Sequence, residues 1–200
     1  MFDLCSELTE ISFSPLFNNI EIKSVYRMFA QCSSLTSIDF TNFKIKNVIN
    51  LDSMFYGCSS LVIINISKID FSKATSMMYM FESCKKLEKI EFPNTKTKEL
   101  QNMKQMFTSC ENLKSLDLSN FDTKQVTTFY FLFNGCKSLT SLDISHFDTT
   151  NAIDMGYMFA DCSNLESIDV SNFDTKNVKY MNAMFSGCQK LTSINVSNFR

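Results

Sequence analysis

The run Leu113-Lys114-Ser115-Leu116-Asp117-Leu118-Ser119-Asn120-Phe121-Asp122-Thr123 decides how the rest of the chain reads. Its centre, Leu116-Asp117-Leu118, alternates apolar and polar residues, the pattern of a strand with one face buried. The same arrangement returns at Leu142-Asp143-Ile144-Ser145-His146-Phe147-Asp148-Thr149 and again at Ile168-Asp169-Val170-Ser171-Asn172-Phe173-Asp174-Thr175, each 26 residues further on. A fixed period of this length marks a tandem-repeat architecture.

Working outward, the beat holds along the chain. The eight cysteines, Cys5, Cys32, Cys58, Cys84, Cys110, Cys136, Cys162 and Cys188, are separated by 27 residues once and by 26 thereafter. Phe stands three positions before each, preceded by Met in every unit except the one with Leu132, and Leu stands three positions after each. The pattern weakens at residues 14–20, where one residue is inserted, and at Pro93-Asn94-Thr95, which displaces the usual Ser-Asn-Phe.

Each unit changes hydrophobic period once. Val178, Met181, Met184-Phe185 and Cys188 are spaced by three and four, as one face of a helix is. Asp174 and Thr175 precede them as N-cap residues, and Gly57, Gly135 and Gly187 sit directly before cysteines, where a left-handed C-cap wants glycine. Strand, turn, helix, turn at constant length predicts an α/β repeat solenoid, a right-handed coil with a parallel β-sheet on one face and short helices on the other. Strands are expected near residues 11, 38, 64, 90, 116, 142, 168 and 194, and helices near 22–30, 48–56 and 74–82 and onward. The chain reads as a single repeat domain over 1–200, about seven repeats plus partial ends. Met1-Phe2 begins within the pattern and Arg200 follows Phe199 with no polar cap, so a piece of a longer protein, or end-to-end self-association, is expected.

The run Leu-x-x-Leu-x-Leu at Leu113–Leu118 resembles the strand half of a leucine-rich repeat. The fuller string from Cys110 to Val126, closing with a Met-Phe-x-x-Cys such as Met158-Phe159-Ala160-Asp161-Cys162, is similar to the BspA-like surface proteins, whose repeats were first catalogued as a mycoplasma domain of unknown function. That resemblance covers essentially the whole chain. It implies a cell-surface or secreted protein engaged in adhesion, and it brings no catalytic residues.

Composition narrows the function classes. The formal net charge is −2, so no basic field exists to hold nucleic acid, and no stretch is long and apolar enough to insert in a membrane. The cysteines lack a short Cys-x-x-Cys pairing and each follows an apolar face, so they read as buried reduced thiols rather than as disulfides or metal ligands. The Met-Phe pairs recur on every unit and read as packing residues. The single histidine, His146, replaces Asn42, Asn120, Asn172 and Asn198 of other units and reads as a turn residue. No His-based nucleophile–base pair and no phosphate-binding glycine loop is present, so no catalytic residue, cofactor or metal is assigned.

Residues pointing away from the strands are not fixed by packing. They form a column containing Asp39, Glu91, Asp117, Asp143 and Asp169, flanked by Ser115, Ser141 and Ser167 on one side and Ser119, Ser145 and Ser171 on the other. This hydroxyl field with an acidic stripe is the candidate partner-binding face, fitted to a protein or glycan; aspartates bridged by Ca²⁺ and a merely solvated surface are the competing readings. The expected function is a non-catalytic interaction or adhesion module. The alternative is a structural or intracellular scaffold without a dedicated ligand, with an ice-binding array more distant and an enzyme last.

Overall fold

The computed structural model describes the backbone of residues 1–200 and the side chains of all but Asn18 and Asn19. Its strands are short and parallel: β1 (Glu10–Ser12), β2 (Asn18–Glu21), β3 (Ser37–Asp39), β4 (Lys44–Lys46), β5 (Ile63–Asn65) and β6 (Lys89–Glu91). β1 pairs with β3, β2 with β4 and β5 with β6. Parallel bridges also link Ser24 to Asn50, Asn50 to Ser76, Ser76 to Asn102, Asn102 to Thr128, Thr128 to Asp154 and Asp154 to Tyr180. Since every bridge joins residues 26 apart, each repeat is one coil laid on the previous one. The inserted residue of the first repeat is taken up by a 3-10 turn at Pro15–Phe17 and a register shift between Asn18 and Ile20.

The predicted helices are absent; apart from that 3-10 turn, the described residues form none. The reason lies in where the backbone N–H groups go. Phe129, Phe131, Phe133 and Gly135 donate to the carbonyls of Asp154, Gly156, Met158 and Ala160 on the next coil, at 2.8 to 3.0 Å. Leu132 and Cys136 donate three residues back, to Phe129 and Phe133. The segment is therefore two successive tight turns, the third residue of each in the left-handed region: Phe131 and Gly135 here, Tyr157 and Asp161 on the next coil. A turn that repeats every four residues buries the same spacing that a helix of 3.6 residues buries, so apolar pattern alone does not separate them. Gly57, Gly135 and Gly187 do adopt left-handed φ of 71° to 74°, but they close turns rather than helices.

The expected eight-stranded sheet is likewise cut short. Strands form at the first four predicted centres, 11, 38, 64 and 90; 116, 142 and 168 keep their alternating burial without strand pairing, and at 194 no strand forms and Val196 is exposed. In the pairs that form, Ser12 lies beside Asp39, and Asn65 Nδ2 donates to Glu91 at 2.6 Å. Asp117, Asp143 and Asp169 stand on three successive coils that form no such pair.

Another device joins the later coils. Where earlier repeats place the buried Ile45 and Phe71, later ones place Thr97, Thr123, Thr149 and Thr175, each 1% exposed. Thr149 Oγ1 accepts the N–H of Asp174 at 2.8 Å and donates to the Asp174 carbonyl at 3.1 Å. Thr123 does the same with Asp148 at 2.8 and 2.9 Å. One hydroxyl thus satisfies both backbone groups of a residue 25 positions on, as a paired strand otherwise does. The supposed N-cap Asp174 accepts from the N–H of Lys176 at 2.9 Å, closing a turn.

The core is built of columns. Phe2, Phe29, Phe55, Phe81, Phe107, Phe133, Phe159 and Phe185 stack in line, with ring centroids 5.3 to 5.8 Å apart and planes within 13° of parallel. Beside them, the thiols of Cys32, Cys58, Cys84, Cys110, Cys136, Cys162 and Cys188 each donate to the Phe carbonyl one coil back, at 3.0 to 3.2 Å. All eight cysteines are unpaired; Cys32 through Cys162 are buried, Cys188 is half-buried and Cys5 is exposed. Burial pushes the thiols of Cys58, Cys84, Cys110 and Cys136 far up and that of Cys162 up to about 12. Such thiols stay protonated and unreactive at neutral pH.

Four outcomes follow from this packing. Phe107→Ala removes a fully buried ring from mid-stack and is expected to cost about 3–5 kcal/mol in urea unfolding, with no helical signature in the circular dichroism of either protein. Thr149→Val keeps the volume but strands the N–H and carbonyl of Asp174, for an expected loss of about 1–3 kcal/mol by the same measurement. A thiol reagent is expected to label Cys5 readily and the half-buried Cys188 more slowly in the native chain, and all eight cysteines once it is unfolded. Because the folded thiol pKa lies above the unfolded value, the stabilisation is complete below about pH 8.5 and is lost as pH rises from there through about 12. The unfolding midpoint should therefore drop across that alkaline window; a flat profile would count against the buried column.

Candidate functional site

The column expected to bind a partner lies at the strand ends, and its acids are turned toward their own backbone. Asp39 Oδ1 accepts the N–H of Thr41 at 2.8 Å, Asp117 that of Ser119 at 2.9 Å, Asp143 that of Ser145 at 3.0 Å and Asp169 that of Ser171 at 2.9 Å. Asn65 and Asn195 close the equivalent turns with Ser67 and Ser197. The Ser145 hydroxyl also donates to Asp143, at 2.7 Å. Hydrogen bonds from the Thr and Ser two residues on hold the carboxyls of Asp39, Asp143 and Asp169 below the usual carboxylate range. For Asp117 the backbone N–H of Ser119 leads the same effect. Turn closure accounts for Asp or Asn at this position in six of the coils without invoking a ligand. Glu91 departs from the pattern, pairing with Lys89 at 2.8 Å. Ser115, Ser141 and Ser167, with Ser119, Ser145 and Ser171, are exposed along the same edge.

His146 serves as a turn residue. Its Nε2 lies 2.9 Å from the Leu118 carbonyl, the inter-coil bond that Asn172 Nδ2 makes to Ile144 at 3.4 Å and Asn42 Nδ2 makes to Phe13 at 3.0 Å. Among the described residues no group of three or more His, Cys, Asp or Glu side chains is gathered for a metal ion, and no helix is long and apolar enough to cross a membrane.

A second surface, which the strand-centred reading passed over, runs along the turn segment before each cysteine. All six tyrosines of the chain fall there: Tyr26, Tyr56, Tyr79, Tyr130, Tyr157 and Tyr180. Each stands two to eight residues before a cysteine, and their confinement to that one segment of the repeat is the signal by which sequence could have found them. The buried neighbours Met28, Met54, Met80 and the Phe stack repeat almost unchanged, while the exposed positions between them vary from coil to coil. Lys104 Nζ sits 5.8 Å from the Tyr79 ring centroid and 5.4 Å from that of Tyr130, within cation–π range of both. Arg27 lies 6.0 Å over Tyr56 while donating both Nε and Nη2 to Asp3 at 2.9 Å. Phe131 and Tyr157 stack at 4.5 Å. Burial raises the Glu82 carboxyl, against the pull of Lys104.

Hollows open on this surface beside the tyrosines. One, of about 320 Å³, is bounded by Tyr26, Tyr56, Tyr79 and Glu82. The larger, of about 640 Å³, lies between Tyr130 and Tyr180 and is lined also by Lys104, Thr128, Asp154 and Asn182. Asp154 is held in place by accepting the Gly156 N–H at 2.9 Å. Aromatic faces, one cation, one carboxylate and an amide therefore meet in one groove, a set suited to binding rather than to bond cleavage.

Among solved structures the chain is similar to a leucine-rich repeat protein from Bacteroides ovatus, at 16% identity and a TM-score of 0.45, over 96% of this chain and 56% of that one. It is also similar to the protein of a TLR13–ssRNA13 complex, at 17% identity and a TM-score of 0.30, over 95% of this chain and 36% of that one. The chain spans about half the length of the first and about a third of the second. No curated protein matches the sequence. The family described as "Mycoplasma protein of unknown function, DUF285" matches over residues 1–94, 23–116 and 101–200. With those matches together spanning the sequence from end to end, the chain belongs to that family.

Proposed function

We propose that the chain is a non-catalytic interaction module of a surface protein, a leucine-rich-repeat-like solenoid in the manner of the BspA-like proteins, and that it holds a protein or glycan partner against its tyrosine-bearing face. The observation that carries this is the placement of all six tyrosines on one segment of the coil. Tyrosine offers a large, rigid contact area with a polar tip and little rotamer entropy to lose, which is why binding surfaces concentrate it. Tyr26 and Tyr180 are 57% and 56% exposed, far more than a core role needs. A coil whose interior repeats while one outer segment varies is a scaffold for displaying that segment.

The strand-end column remains an exposed acidic edge and is the second reading, favoured by the run of Asp117, Asp143 and Asp169 on successive coils. Two double variants separate the faces. Binding of the purified chain to a panel of immobilised matrix proteins and glycans is expected to weaken about tenfold or more in Tyr130→Ala/Tyr180→Ala. It is expected to stay within about twofold in Asp143→Lys/Asp169→Lys. The reverse ranking assigns the partner to the acidic edge, and no binding by any of these proteins points to a scaffold without a dedicated ligand.

A further inference from the structure

We infer that the groove between Tyr130 and Tyr180 is a binding site for a neutral oligosaccharide, its lining groups drawn together over Gly156. This rests on the tyrosine-bearing face being the binding face, and it names what that face takes.

Gly156 is the first observation. The other three glycines have left-handed φ; Gly156 does not, so its backbone is open to any residue. The same position on other coils carries Tyr26, Asp52, Met78, Lys104, Tyr130 and Asn182. A Cβ on Gly156 would stand 3.2 Å from Asn182 Oδ1, 3.2 Å from Asp154 Oδ1 and 3.3 Å from Tyr130 Cδ2. Gly156 is buried beneath these groups, and its missing side chain lets two polar oxygens and the edge of a ring come together above it. All three residues line the groove.

The charge of the groove selects the ligand. Lys104 and Asp154 both line it, so a cationic or an anionic ligand meets one partner of its own sign. A neutral ligand bearing closely spaced hydroxyls donates to Asp154 and Asn182 Oδ1, and accepts from Lys104, Thr128 and Asn182 Nδ2. Its C–H faces lie against the apolar faces of Tyr130 and Tyr180. From the coil of Lys104 to that of Asn182 is about 15 Å at about 4.8 Å per coil, the reach of a short oligosaccharide.

The backbone disfavours an extended peptide. Adding a strand requires free N–H and carbonyl groups. Here the N–H groups of Phe129, Phe131, Met155 and Tyr157 are all donated to carbonyls of the next coil. Recognition in this groove falls to side chains alone.

The chain contains no tryptophan, so its emission comes from tyrosine, and two of its six tyrosines line the groove. The probe is a panel of neutral tri- and tetrasaccharides of hexose and N-acetylhexosamine units, titrated against the whole chain. At least one is expected to give a saturable change in emission. Gly156→Ala and Tyr180→Ala are each expected to weaken that binding about tenfold or more, with the thermal midpoint retained. A panel in which no member saturates, binding confined to charged oligosaccharides, or affinities indifferent to both substitutions overturns the assignment. If no saccharide binds but Tyr130→Ala/Tyr180→Ala still abolishes capture of an immobilised protein, the saccharide assignment falls and the tyrosine face stands. If that double variant changes no binding of any kind, both fall.

Discussion

Alternate backbone N–H groups in the turn segment before each cysteine reach across to the next coil, and the rest of the architecture is arranged around that fact. A carbonyl 25 residues ahead must lie at hydrogen-bond distance from each donor, as Gly156 does for Phe131 and Tyr180 does for Met155. An insertion or deletion within a repeat would offset every following bond, and an unmade buried backbone bond costs about 1–3 kcal/mol. Repeat length is therefore tightly held, and the one extra residue sits in the first repeat, beside a 3-10 turn and a register shift that absorb it. The intervening N–H groups close tight turns, which requires a left-handed residue twice per coil. Gln105, Phe131, Tyr157 and Ala183 occupy the first of these positions on successive coils although none is glycine. The inter-coil bonds hold those residues in a conformation they would not choose alone.

Once the coils are in register, like side chains fall over like, and each column meets the demands of stacking in its own way. Phenylalanine rings stack face to face along the interior, where only another apolar surface is available. Cysteine supplies a small side chain that fills the corner beside the ring and still donates a weak bond to the carbonyl beneath it. Threonine bridges coils where strand pairing gives way. It is the polar counterpart of Ile45 and Phe71, which fill the same position in the early coils. The repeat is thus a set of separate solutions to one problem, namely satisfying the backbone of one coil with groups from its neighbour.

Much of this is legible in the sequence, because columns write themselves as period. The cysteine spacing gives the coil length, and Leu116-Asp117-Leu118 with its counterparts gives the edge on which the early strands form. The secondary structure of the turn segment is not legible from pattern. Val178, Met181, Met184 and Cys188 present the same spacing whether N–H groups bond within the segment or across to another coil, and hydrophobic period does not record that choice. The left-handed positions carried a hint only where they held Gly57, Gly135 and Gly187; Ser109 and Asp161 in the same role gave none. The acidic column was visible as an exposed stripe. Its bonds to Thr41, Ser119, Ser145 and Ser171 become evident only when the chain is seen to turn there.

The tyrosine face stayed hidden for a related reason. Read as helices, the segments before the cysteines place Tyr130 and Tyr180 on the solvated side of an amphipathic element, where scattered aromatic residues call for no explanation. Read as stacked turns, they lie along one strip with Asp154 between them and Lys104 beside Tyr130. Internal duplication makes that strip informative. Copies of one repeat start with the same surface, and positions held by packing stay alike because the stack penalises change. Outside the core columns the copies differ, and positions 104, 130, 156 and 182 hold Lys, Tyr, Gly and Asn. Drift alone would scatter polar residues over such a strip. It gives no reason for a glycine with ordinary backbone geometry to sit where three neighbours converge on the missing side chain.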